Sequence, residues 1–145
     1  MKIAIRVVAW LISLLVVVQA ASIAYALMSI GHLVFDDGGT VDKDTEVGGV
    51  GFALHSIVGM QVIPALAIIL LILALILRSP AVTWLAVSVV VAVALQVVLG
   101  IFGADAPALG WLHGIVAFVV FVLAGITGQR TMSARAVPQA ATATG

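Results

Sequence analysis

Residues 81–102 read AVTWLAVSVVVAVALQVVLGIF, without a single Asp, Glu, Lys or Arg. A hydrocarbon core about 30 Å thick is crossed by about 20 apolar residues in a helix. This stretch is therefore long enough to span a bilayer. Three other runs meet the same test: Val7–Ile30, Gly51–Leu77 and Leu109–Gly128, again free of charged side chains. Many of their residues are β-branched, which suits strands as well as helices. No run alternates apolar and polar residues with period two, as the strands of a membrane barrel with a polar lumen must. The reading is an all-α integral membrane protein with four transmembrane helices.

The rest of the composition agrees. The chain has 145 residues, of which 64% are hydrophobic and 8% charged, and its mean hydropathy is +1.36. An ordinary soluble domain carries about 25% charged residues. The length suits one membrane domain over residues 1–130, followed by a small, polar tail over 131–145 that is expected to be disordered and cytoplasmic.

The formal net charge is zero, but the charges are segregated. Lys2 and Arg6 precede the first run, Arg78 separates the second from the third, and Arg130 and Arg135 follow the fourth. The two remaining connections hold all six acids, Asp36, Asp37, Asp42, Asp44, Glu46 and Asp105, with Lys43 as their one basic residue. The positive-inside rule then puts both termini in the cytoplasm of a multi-pass protein of a bacterial inner membrane, with the acidic connections outside. A competing reading is a signal peptide ending at Ala24-x-Ala26. Apolar character continues through Leu27, Met28 and Ile30, which favours a span.

Several chemistries are missing. The absence of cysteine removes c-type haem attachment, thiolate-bound clusters and disulfides. There is no phosphate-binding loop, nucleophile elbow or zinc-protease motif, and nothing addresses a nucleic acid. No carboxylate lies inside a span, which argues against a proton pump or cation transporter. In the loop from Asp42, Val47 and Ala53 stand where a calcium loop needs glycine and glutamate. That loop reads as a solvated acidic surface.

One phrase occurs twice. Leu54–Gly59 reads LHSIVG and Leu112–Ala117 reads LHGIVA. Each follows a span with one glutamine, in VVVQAAS at Gln19 and VALQVVL at Gln96. The chain thus reads as two parallel helix-pair repeats in an up-down-up-down bundle. An ionisable residue inside a span is a functional candidate by default, and here only histidines qualify. His55 and His113 lie at equal depth near the outer ends of two diagonal helices, with Gln96 close to that level and Gln19 deeper, near mid-membrane. His32 reads as an interfacial residue.

Two inward imidazoles are too few for tetrahedral zinc. They suffice as the axial ligands of a haem iron, whose ring supplies the other four. Gly59, Ala117 and Gly100 stand four residues after His55, His113 and Gln96, on the same helix faces. They would leave a slot for a porphyrin edge, with Gln96 holding a ring nitrogen. Pro64 should kink the second span. The plainer alternatives are small residues that let membrane helices pack closely, and glutamines that hydrogen-bond between helices.

On these phrases the chain resembles small uncharacterised bacterial four-helix membrane proteins with a helix-start histidine in each half. It is more distantly similar to b-type transmembrane cytochromes and to the half-repeats of haem A synthase. The resemblance implies axial roles for His55 and His113, with one histidine pair where those families have two. Two functions follow as expectations. One is a haem-b-binding membrane protein for electron transfer, haem handling or sensing. The other is a non-catalytic accessory subunit that stabilises a larger transporter or respiratory complex. With no second pair to complete a transmembrane electron path, the sequence argues against a stand-alone cross-membrane oxidoreductase and leaves enzyme activity open.

Overall fold

A computed structural model describes residues 1–103 and 105–131. The tail expected over 131–145 lies, from residue 132 onward, outside the described residues. Among the described residues, four helices are long and apolar enough to cross a membrane: Lys2–Phe35, Gly49–Leu77, Pro80–Gly103 and Leu109–Arg130. There is no strand among the described residues. The four expected runs all fall within these helices, and the largest difference is in the first.

The first helix has 34 residues and so overruns the expected Val7–Ile30 at both ends. No proline interrupts it, and its first glycine is Gly31. At 1.5 Å per residue it is about 50 Å long, well beyond a hydrocarbon core. It ends where Gly38 takes a left-handed φ of 66° and the Gly39 N–H donates to the Leu33 carbonyl at 2.8 Å. The Ala24–Ala26 segment that resembles a cleavage site lies in unbroken helix, with Ala26 fully buried.

Glycines set how closely the second helix approaches the first. Gly48 precedes it with φ 78°, and a Cβ there would lie 2.7 Å from the Ala26 carbonyl oxygen. A Cβ on Gly51 would lie 2.5 Å from the Ser22 carbonyl oxygen and 2.9 Å from the Ala26 Cβ. Backbone meets backbone here, as small residues permit in membrane proteins.

The second helix is not uniformly α. Gly49–Ile57 and Ile63–Leu77 are α-helical, and Val58–Val62 between them is a π turn. The Ile63 N–H reaches the Val58 carbonyl, five residues back. Pro64 follows at once and has no N–H for the carbonyl of Met60. A π turn accommodates one extra residue within a helix, so the disruption expected at Pro64 takes this form. Arg78 closes the helix with φ 57°, and Pro80 opens the third helix, where a missing N–H costs nothing.

The first helix packs on the second and fourth, and the third packs on the second and fourth. Buried apolar residues recur at spacings of three and four. They are Ile5, Ala9 and Ile12 on the first helix, Ala67, Leu70 and Ala74 on the second, Val82, Ala86 and Val89 on the third, and Val120 and Ala124 on the fourth. This is the spacing of bundle seams. Ser13 adds a bond to the Phe121 carbonyl at 3.1 Å, and Thr83 one to the Ala74 carbonyl at 3.3 Å. The core lies toward the end of the bundle that carries Lys2, Arg6, Arg78 and Arg130. On the fourth helix nothing before Val120 is buried, so at the opposite end, where both LH phrases lie, this helix is only loosely packed.

The outer faces are mainly apolar, with a few exposed polar residues such as Gln61 and Ser88. Trp111 is 80% exposed, Met28 77% and Phe118 74%. A water-soluble monomer exposes only limited apolar patches, so these faces suit a lipid environment.

Candidate functional site

Each LH histidine is held by the helix that precedes it. His55 Nδ1 lies 3.2 Å from the Gln19 carbonyl oxygen, and His113 Nδ1 lies 3.1 Å from the Gln96 carbonyl oxygen. A carbonyl oxygen only accepts, so in both rings Nδ1 must carry the hydrogen. In its neutral form each imidazole is thereby held in one tautomer, with the lone pair on Nε2. Both side chains are half-buried.

The two rings come together. Their centroids are 6.0 Å apart and their planes are tilted by 55°. The sequence expectation that both face one another across the bundle agrees with this distance. The common arrangement also links the two halves: a glutamine carbonyl in the leading span fixes the histidine of the following one.

Other expected site residues are placed differently. Gln96 contacts His113 through its main-chain carbonyl, and its side-chain Oε1 is buried without a hydrogen-bond partner among the described residues. Gly59 and Gly100 do make room, but for side chains of this chain. A Cβ on Gly59 would lie 3.4 Å from both Nε2 and Oε1 of Gln19. A Cβ on Gly100 would lie 3.1 Å from His113 Cε1. Ala117 is half-buried one turn inward of His113.

Gln19 is nearer the site than its sequence position suggests. Counted from Ile30 it falls near mid-membrane. The first helix, however, runs on to Phe35, and Ala26 is the residue that meets Gly48 at the start of the second helix. Gln19 is seven residues inward of Ala26, as His55 is of Gly48. The depth of Gln19 is therefore that of His55.

His32 belongs elsewhere. Its Nδ1 is 2.6 Å from Asp36 Oδ2 at the exposed end of its own helix. In the acidic loop, Asp42 Oδ1 accepts from the Asp44 N–H at 3.0 Å and the Thr45 hydroxyl at 2.9 Å. That carboxylate closes a turn. No group of three or more His, Cys, Asp or Glu side chains converges among the described residues.

The donor set can be tested against a haem. An iron bound about 2 Å from each imidazole nitrogen, the usual metal–imidazole distance, puts the two ring centres about 6 Å apart. The observed 6.0 Å agrees. The Nδ1–H bonds to carbonyls are also those that orient metal-bound imidazoles. In ring separation and in the engagement of Nδ1 the pair is compatible with axial ligation. The spaces beside Gly59 and Gly100 do not form the slot expected for a porphyrin edge, because Gln19 and His113 fill them.

No family model matches the chain, and no curated protein or solved structure matches it.

Proposed function

We propose that this chain is a small membrane protein that holds one haem b between His55 and His113, for electron transfer, haem handling or sensing at the extracytoplasmic side. In this reading the helices form an up-down-up-down bundle of two parallel repeats in the inner membrane, with both termini cytoplasmic. The observation that carries it is the ring-centroid distance of 6.0 Å between imidazoles whose Nδ1 atoms are both engaged. In the neutral rings Nε2 is the nitrogen left to bind a metal centre, since Nδ1 is engaged with a carbonyl in each. Bound haem would supply a one-electron couple. His55 and His113 would hold its iron, while the carbonyls of Gln19 and Gln96 keep each ring from rotating.

The test is the absorption spectrum of the full chain expressed with ample haem and purified in mild detergent. A low-spin haem b spectrum is expected. His55→Ala and His113→Ala should each lose it, because one axial position opens. A colourless wild-type protein, or an unchanged spectrum in the double variant, removes the proposal.

A second reading, an accessory subunit of a larger membrane complex, is favoured by one face. On the fourth helix Gly110 and Gly114 have open space where a Cβ would stand, between the exposed Trp111 and Phe118. Such a face suits a neighbouring membrane helix. A colourless protein that co-purifies with larger subunits supports this reading.

A further inference from the structure

We propose that the Gln19 carboxamide is an internal water-binding site, one turn inward of His55. Gln19 is 9% exposed, and neither its Oε1 nor its Nε2 has a hydrogen-bond partner among the described residues. The amide lies over Gly59, which is on the same helix face as His55 and four residues further in. A Cβ on Gly59 would sit in ordinary contact with both amide atoms, at 3.4 Å, so the amide packs directly against this position.

The chemistry of the amide selects the ligand. It offers donors and acceptors together and carries no charge. No Lys, Arg, Asp or Glu lies within the apolar runs to pair with it. A buried amide without partners is costly, and more so in hydrocarbon than beside water. The ligand must therefore be small, neutral and able both to donate and to accept. Water meets all three conditions, and buried waters commonly bond about three otherwise unpaired polar groups. Gln96 Oε1, also buried and unpaired, is a second acceptor on the repeat-related glutamine. Each glutamine also holds a histidine through its main-chain carbonyl, so both unpaired amides belong to residues that touch the histidine pair. This assignment does not depend on whether the histidines hold haem.

The experiment is diffraction from lipid-grown crystals of the full chain, at a resolution that shows ordered waters, for wild type and Gln19→Leu. Density is expected at about 2.7–3.2 Å from Gln19 Oε1 or Nε2, the ordinary hydrogen-bond range, and should vanish in the variant. An amide bonded only to protein atoms, or one in a dry cavity, overturns the assignment. Thermal unfolding gives a second readout. A dry, unpaired amide predicts that Gln19→Leu raises Tm, and such a rise also overturns it. An unchanged or lowered Tm accords with a hydrated site.

Discussion

At the scale of single residues, the sharpest constraint is steric. The Gly51 Cβ position lies 2.5 Å from a main-chain oxygen, which cannot move without its helix. Gly51→Ala should therefore part the first two helices. The expected loss is about 1–3 kcal/mol, as for other overpacked sites, read as a lower Tm in detergent. Gly114→Ala, with open space at the same position, should leave Tm unchanged. Gln96 gives a different contrast. Its carbonyl fixes His113, and any residue supplies a carbonyl. Gln96→Leu should therefore keep a low-spin haem spectrum under the proposed function. Removing a buried polar group beside the site should shift the midpoint potential, measured by redox titration. Loss of haem in this variant would mean that the side chain, and not the backbone, sets the site. The histidines themselves were legible in the sequence, because only an ionisable residue in a repeated phrase interrupts the apolar runs. The role of Gln19 was not. A main-chain carbonyl leaves no mark in a sequence, and depth counted from the end of an apolar run fails when the helix extends past it.

At the scale of one element, the second helix joins two faces through its π turn. Ile63, Ala67, Leu70 and Ala74 are buried below the turn, and His55 meets His113 above it. Each residue turns an α-helix by about 100°, so one extra residue in the π turn sets the phase between the two faces. Deleting Met60, which is 52% exposed within the turn, should let it contract to α and keep both faces in place. Tm should hold to within a few degrees, and so should any haem spectrum. Inserting one alanine after Met60 should instead swing His55 away from His113 and abolish the spectrum. If deletion and insertion are equally damaging, the turn does not carry the phase. Sequence reading anticipated a disturbance at Pro64. It expected a kink, and the helix widens into a π turn just before the proline, a choice that depends on how the neighbouring helices pack.

At the scale of the whole molecule, the separation of charge gives the most direct test. Lys2 and Arg6 begin the first helix, Arg78 ends the second, and Arg130 ends the fourth. Their ends of the bundle adjoin, since Ile5, Ala74, Val82 and Ala124 share one core. Asp36, Asp37, Asp42, Asp44, Glu46 and Asp105 lie in the two connections at the opposite end. Four apolar helices and both connections were legible from charge and hydropathy alone, because a span tolerates almost no ionised side chain. Orientation is a further step, and it rests on the bias of Lys and Arg toward the cytoplasmic side. The natural chain has no cysteine, so introduced ones report without background. Thr40→Cys, in the exposed acidic loop, should react with an impermeant maleimide added to intact cells. Ala141→Cys should react only after the membrane is opened. The reverse pattern would place the acidic loop and the LH phrases on the cytoplasmic side. The histidine pair would then exchange electrons or haem with cytoplasmic partners, and the geometry of the site would stand while its proposed side of action would not.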